Sequence, residues 1–161
     1  MAISMRVLLS AAVLGAGLLS AHSAQAVSGA EADALVKTRQ GLMSGIGGAM
    51  GALGCWSKGE CDGLEAKVTK RLAEGIAAMT APSIEAYRQP TMELSIKTTA
   101  TADVWSQWSK FEEGMKMMGS SASALAKAIE GGDSGAIKSA MGDLGKTCKG
   151  CHDTFREKPK H

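Results

Sequence analysis

Aromatic residues, histidines and prolines are scarce in this chain. Only six of its 161 residues are aromatic, and three each are histidine and proline. Alternating β-branched and polar runs joined by hairpin turns are missing, which argues against a β-sheet protein. Lysine and arginine number 18 against 16 acidic residues. This balance indicates neither a basic nucleic-acid surface nor an acidic disordered tail.

The first 26 residues have the features of a secretory signal. Arg6 precedes an apolar run from Val7 to Leu19, and Ala24-Gln25-Ala26 has the small-x-small pattern found before a cleavage site. The run of 13 residues is shorter than the roughly 20 that span a bilayer, so a membrane anchor is the weaker interpretation. We therefore expect residues 1–26 to be removed and residues 27–161 to form one exported, periplasmic domain.

Apolar residues beyond the leader recur at helical spacing in four stretches. Ser28 with Glu31 forms a capping-box pattern at the start of the first stretch, and Asp62 with Glu65 repeats it before the second. The predicted apolar stripe of the second stretch is Leu64, Val68, Leu72, Ile76 and Met79. The third stretch is the most regular, because its apolar residues alternate steps of four and three. They are Val104, Trp108, Phe111, Met115, Met118, Ala122, Leu125 and Ile129. Gly131-Gly132 ends this stretch, Asp133 or Ser134 can cap the next one, and a fourth stretch continues to Pro159.

One connection between these stretches is long. Pro82 and Pro90 lie within about Ala81 to Thr101, where no helical period is sustained and at most a short helical turn is expected. Four amphipathic helices joined by one long and two short connections predict an all-α fold. The predicted architecture is an antiparallel up-down-up-down four-helix bundle.

The most informative motif is Cys148-Lys149-Gly150-Cys151-His152 in the fourth stretch. It fits the C-x-x-C-H pattern of covalent c-type haem attachment. Two cysteines three residues apart on a helix project along one face, where each sulfur can add to one vinyl group of a haem. The adjacent His152 can then bind the iron as an axial ligand. The motif therefore predicts one covalently attached haem c in the bundle.

Three other uses of these cysteines compete with haem attachment. A thioredoxin-like redox pair would begin a helix that follows a strand, and no strand is predicted. A zinc site built from all four cysteines of the chain needs two distant pairs to meet. A plain disulfide between Cys148 and Cys151 is the third. A haem-free metal-binding or disulfide-bonded helical protein is thus the remote alternative.

The supply of histidine limits the second axial ligand. His22 lies in the leader and His161 is the last residue of the sequence, so a haem with two histidine ligands is disfavoured. The sixth position of the iron is left to methionine, water or no ligand.

Three short sequence segments support the haem motif. Asp153-Thr154-Phe155-Arg156 follows it, Arg39-Gln40-Gly41-Leu42-Met43 lies on the first helix, and Asp103-Val104-Trp105 opens the third. Together they resemble cytochrome c′ and the wider class II cytochromes c, in which the haem motif is close to the C-terminus. The resemblance covers the whole chain after the leader. It implies a protein that transfers electrons, binds NO or CO, or both, and that is not an enzyme.

The resemblance implies a role for each matching residue of the last helix. Cys148 and Cys151 would form the two thioethers, and His152 would be the proximal iron ligand. Arg156, one turn further on, would place a cation near the proximal face.

Residues outside the last helix would complete the haem site. Arg39 and Gln40 match a family pair whose side chains reach the haem propionates and edge, and a guanidinium suits a carboxylate. Thr99 is the nearest match to a further haem contact from the loop before the third helix.

Met43 separates two mechanisms within this family. In cytochrome c′ the matching residue is bulky and apolar and covers the distal face without binding iron, which leaves a five-coordinate, high-spin haem open to NO or CO. In low-spin members a methionine of this helix binds iron, and the site transfers electrons only. We expect the first arrangement, with low-spin ligation by Met43 and His152 as the alternative.

Cys55 and Cys61 depart from the family signature. In an oxidising compartment we expect a disulfide that closes the Trp56–Glu60 loop, and a redox-regulated pair is the alternative. The resemblance also implies redox partner proteins and allows a homodimer. Nothing in the sequence indicates a nucleic-acid partner, or a membrane partner once the leader is removed.

Overall fold

A computed structural model describes residues 27–91 and 96–158, so the predicted leader lies outside the described residues. Within these ranges the regular secondary structure is helical, apart from one isolated β-bridge between Ala100 and Arg156. No helix in them is long and apolar enough to cross a membrane. The helices are α1 Gly29–Ser57, α2 Ala66–Ala78, α3 Thr80–Tyr87, α4 Asp103–Ser106, α5 Trp108–Gly131 and α6 Ser134–Phe155.

Helices α1, α2, α5 and α6 form the predicted four-helix bundle. α5 packs against both α2 and α6, and α1 packs mainly against α2. Only Gly132 and Asp133 separate α5 from α6, so these two packed helices run antiparallel. α1 and α6 touch each other less, and a cavity lies on that side of the bundle.

Several helix ends follow their sequence signals. In the predicted capping box of α1, the Ser28 N–H donates to Glu31 Oε2 at 2.8 Å and the Glu31 N–H donates to Ser28 Oγ at 3.4 Å. Asp133 Oδ1 accepts the Ala136 N–H at the start of α6. Gly132 ends α5 with a φ of 73°, a left-handed conformation that favours glycine.

The regular apolar seam of the third predicted helix is the centre of the core. Every predicted seam residue is buried except Trp108, which is partly buried and packs against the core. Fully burying a valine, leucine, isoleucine, phenylalanine or methionine side chain stabilises a protein by roughly 1.5–3 kcal/mol. The seam spans α4 and α5, which are separated only by Gln107.

The predicted long connection contains a complete helix, which corrects the expectation of at most a short turn. α3 runs from Thr80 to Tyr87, with Pro82 as its third residue. A proline there costs little, because the first N–H groups of a helix have no intrahelical acceptor. Ser83, Ile84 and Ala86 are buried, so packing rather than local periodicity stabilises this helix.

The start of α2 also differs from the prediction. Glu65 is the N-cap residue, and its side chain makes no capping hydrogen bond. Val68, on the predicted apolar stripe, is 44% exposed, whereas Thr69 beside it is fully buried. The Thr69 hydroxyl donates to Ala66 O at 3.0 Å, which compensates its burial. The buried face of α2 is therefore rotated relative to the predicted stripe.

Candidate haem-binding site

A cavity of about 590 Å³ lies between α1, α5 and α6. Its volume falls within the roughly 300–1,000 Å³ of small-molecule and cofactor sites. Methionine thioethers and aromatic rings supply most of its apolar wall. They belong to Met43, Met50, Met115, Met118, Tyr87, Phe111 and Phe155.

Helix α6 brings the three residues of the haem motif to this cavity. Cys148, Cys151 and His152 all line it, since helix positions three and four apart share one face. Both cysteines are partly buried free thiols, and His152 is exposed at the rim. The structure therefore brings together the residues that the motif predicts.

Local electrostatics favour neutral forms of these three side chains. Burial raises the pKa of Cys148, and burial with a contribution from Cys148 raises the pKa of Cys151 to about 11. Partial desolvation, then the positive charge of Arg156, lowers the pKa of His152 below its ordinary value of 6.5. Near neutral pH the cavity thus presents two thiols and a neutral imidazole, the form that binds a metal.

Arg39 is a buried cation at the cavity wall, only 2% exposed. Its Nε donates to Ala86 O, its Nη2 to Gln89 O and its Nη1 to Thr91 Oγ1, each at 2.7 Å. These bonds use three of the five guanidinium N–H donors. No carboxylate in the described ranges forms an ion pair with Arg39, and its predicted contact with a propionate would use the two remaining donors.

Two aromatic rings cover the Arg39 guanidinium. Its Cζ lies 5.0 Å from the ring centroid of Tyr87 and 5.4 Å from that of Trp105, within the range of cation–π interactions. The Trp105 Nε1–H donates to Tyr87 O at 2.8 Å. Arg39 therefore ties α1 to α3 and α4. The sequence does not predict this role, because the hydrogen-bond acceptors of Arg39 lie about 50 residues further along the chain.

The remaining predicted haem contacts also lie around the cavity. Gln40, Met43, Thr99 and Arg156 all line it. The Gln40 Nε2 donates to Lys97 O at 3.2 Å, so its side chain is already held against the loop that carries Thr99. The contacts of these four residues with a haem stay predictions.

Some residues of the cavity were not predicted as site residues. The apolar seam predicts that Phe111, Met115 and Met118 pack in the core, and in the structure they also line the cavity. Their seam position next to the haem-motif helix is the signal that could have indicated this role. Tyr87 gave no comparable signal, since α3 itself was not predicted.

Cys55 and Cys61 form a disulfide away from the cavity, with their Cα atoms 5.4 Å apart. The bridge links the end of α1 to the loop before α2. It removes both residues from a zinc site with the other two cysteines, so that alternative is wrong. The free thiols of Cys148 and Cys151 likewise contradict a plain disulfide between them.

The residues present fit a covalently attached haem. Two thiols on one helical face adjoin an imidazole, the cavity wall is largely apolar, and the cations Arg39 and Arg156 suit the two carboxylates of a haem. A four-helix bundle with a C-terminal C-x-x-C-H site that faces an internal cavity defines the class of helical-bundle c-type haem proteins.

Comparisons with known proteins give the family. The family model described as Cytochrome C' matches residues 34–156. A cytochrome c′ of Pararhodospirillum photometricum is 38% identical over 128 residues, which are 80% of this chain and 100% of that protein. The structure of cytochrome c prime from Shewanella frigidimarina is 29% identical with a TM-score of 0.72, over 80% of this chain and 98% of that one. A nitric oxide complex of a mutant cytochrome c prime from Alcaligenes xylosoxidans is 25% identical with a TM-score of 0.69, over 80% and 97%.

The chain belongs to the cytochrome c′ family, haem proteins with covalently attached haem c. The predicted family, the predicted four-helix bundle and the predicted cofactor are confirmed.

Proposed function

We propose that this chain is a periplasmic cytochrome in which Cys148 and Cys151 hold one haem c and His152 binds its iron. The observation that carries the proposal is the convergence of these three side chains on one cavity. When bound, the haem supplies an iron that exchanges an electron or binds a diatomic gas. The fold supplies the attachment sites, the axial ligand and the enclosure.

The side chains around the cavity have separate tasks in this proposal. The two thiols anchor the group, and His152 ligates from the rim. Arg39 and Arg156 attract carboxylates, and the methionine and aromatic wall excludes water. Arg39 is fixed by three hydrogen bonds, so its charge is in place without rearrangement.

We propose that Met43 covers the distal side of the haem without binding iron, which leaves a five-coordinate site for NO or CO. Met43 is partly buried in the cavity wall and packs against the hydrophobic core, as an apolar cover would. In the alternative, Met43 binds iron and the site transfers electrons only. Replacing Met43 with Leu separates the two, since an unchanged visible spectrum excludes Met43 as a ligand. Met50→Leu is the matched control, a second cavity methionine on the same helix.

The attachment residues are tested with the two cysteine pairs of the chain. We expect the Cys148→Ala/Cys151→Ala double variant to lose haem when it is denatured and extracted with acidic organic solvent. The Cys55→Ser/Cys61→Ser double variant should keep its haem through the same treatment. Haem retained by the first variant would contradict the assignment.

We propose further that the chain acts with redox partner proteins and turns over no substrate. We expect export through residues 1–26, which N-terminal sequencing of the periplasmic protein would test by a start at Val27.

A homodimer through α1 is consistent with its uncharged exposed side, since no charged residue lies between Gln40 and Ser57. Sedimentation of wild-type protein and of Gly48→Glu, an exposed position on α1, would test the dimer.

A further inference from the structure

Residues 97–101, here called the strap, precede α4 in the chain and contact both α1 and the end of α6. Thr98, Thr99 and Ala100 line the cavity, and Ala100 is buried in the core. On one side, the Gln40 Nε2 donates to Lys97 O at 3.2 Å. On the other side, Ala100 forms the isolated antiparallel bridge with Arg156. The strap is therefore fixed to both helices that flank the cavity.

The strap satisfies backbone groups at the C-terminus of α6. The Thr101 N–H donates to Phe155 O at 3.0 Å, and the Glu157 N–H donates to Thr99 O at 2.8 Å. The Thr101 hydroxyl lies 3.5 Å from Thr154 O. The last four carbonyls of a helix have no intrahelical partner, so the bond from Thr101 N–H to Phe155 O caps α6. The bond from Glu157 N–H to Thr99 O holds the residues that follow α6 against the strap.

His152 lies in the turn that this cap holds. α6 ends at Phe155, three residues after His152, and the Arg156 N–H donates to His152 O at 3.3 Å. Helix ends fray unless tertiary contacts hold them. Unwinding this turn would change the direction of the His152 side chain relative to Cys148 and Cys151.

We infer that the strap is a positioning element for the proximal histidine. Its two backbone hydrogen bonds keep the last turn of α6 wound and so fix the direction of the His152 imidazole. Because the strap is also tied to Gln40, the direction of the proximal ligand is coupled to α1 across the cavity. This inference rests on the proposed function, in which His152 binds the haem iron.

Two proline substitutions remove the two bonds separately. Glu157→Pro deletes the N–H that reaches Thr99 O, and Thr101→Pro deletes the N–H that reaches Phe155 O. The residues before them suit a following proline, because Arg156 is extended at φ −122° and ψ 135° and Ala100 is in a β-bridge. Glu157→Ala and Thr101→Ala are the controls, since each loses a side chain and keeps the backbone donor.

The measurement is made on purified haem-loaded protein in the ferrous state. We expect the iron–histidine stretching band in the resonance Raman spectrum to shift or broaden in each Pro variant relative to its Ala control, which lacks the same side chain. Amide exchange in the last turn of α6 should rise roughly fivefold in the Pro variants, which corresponds to one hydrogen bond of about 1 kcal/mol. If one Pro variant fails to fold, the other still removes one of the two backbone hydrogen bonds between the strap and the end of α6.

The failure of this inference is distinguishable from failure of the proposed function. Wild-type protein without covalent haem would contradict the proposed function, and the inference with it. A haem-loaded Pro variant whose Raman band matches its Ala control overturns the inference alone. This holds even if its amide exchange rises, because the strap would then stabilise the helix end without orienting His152.

Discussion

Arg39 places its guanidinium carbon 5.0 Å from the centroid of the Tyr87 ring. The contact joins α1 to α3 at the edge of the cavity, and both side chains line that cavity. Burial raises the pKa of Tyr87, with Arg39 opposing the shift, so the phenol stays neutral beside a fixed cation. The cavity wall therefore carries one fixed positive charge at this edge, which in the proposed function would suit a haem carboxylate.

Replacing Arg39 with Lys should destabilise the fold. An ammonium keeps the charge but cannot reach three separated acceptors with a planar fork. We expect a loss of about 2–4 kcal/mol in the free energy of unfolding, because buried acceptors lose charged hydrogen bonds. Urea unfolding followed by far-UV circular dichroism measures it. Lys37→Gln, at an exposed cation on the same helix, should change stability by less than about 0.5 kcal/mol. Equal midpoints for both variants would contradict the structural role of Arg39.

Two glycines on different helices should respond oppositely to alanine. An added Cβ at Gly119 would lie 2.6 Å from Thr80 Oγ1 and 3.3 Å from both Thr80 Cβ and Cγ2, so rotating the threonine gives no relief. Gly119→Ala should destabilise by up to about 2 kcal/mol, the overpacking cost less the gain in helix propensity. Gly142 is exposed with open space around it, and Gly142→Ala should stabilise by about 1 kcal/mol. Thermal melts of both variants test this, and a stabilised Gly119→Ala would show that the α3–α5 contact is looser than described.

The Cys55–Cys61 disulfide should stabilise the fold without affecting the haem. It closes a loop of sequence separation 6, for which loop-closure entropy gives about 2 kcal/mol. The Cys55→Ser/Cys61→Ser variant should lose that amount in urea unfolding and keep the wild-type visible spectrum. A changed spectrum would contradict the purely structural role of this disulfide.

Acid should weaken the contact between α2 and α5. Lys70 Nζ lies 2.7 Å from Glu130 Oε1, and this hydrogen bond lowers the pKa of Glu130 below its ordinary 4.5. A carboxyl whose pKa is lowered by folding stabilises the fold above its unfolded pKa, and the stabilisation is lost as pH falls through the native value. Glu130→Gln should therefore lose less stability than wild type between pH 7 and pH 3. Glu113→Gln, at an exposed carboxylate that forms no described ion pair, should follow wild type. Identical acid dependence in all three proteins would contradict this account.

Local signals predicted the parts of the fold that depend on periodicity and capping. The seam from Val104 to Ile129 and the caps at Ser28 and Asp133 follow from spacing and from short-range hydrogen bonds. α3 escaped prediction because Pro82 indicates a break, whereas its first-turn position in α3 makes it harmless. Apolar spacing predicts that Val68 is buried, but spacing alone cannot show which face of a short helix meets its neighbours.

The candidate site likewise contains residues that local sequence indicates and contacts that depend on packing. The haem motif is contiguous, so Cys148, Cys151 and His152 could be assigned from sequence, and the family resemblance added Arg39, Gln40, Thr99, Met43 and Arg156. The bonds from Arg39 to the 86–91 segment and from the strap to α6 join residues about 50 positions apart. No local pattern carries that information, and only the packed structure shows it.

The central claim is a covalent haem held by Cys148 and Cys151, ligated by His152 and open on the side of Met43. The visible absorption spectrum of the ferrous periplasmic protein, recorded before and after adding CO, tests it most directly. We predict a broad Soret band that shifts on adding CO. A sharp spectrum with split α and β bands that does not change on adding CO would contradict the open distal side and support Met43 as a ligand. A protein without a Soret band, after expression with haem-attachment machinery, would contradict the whole account.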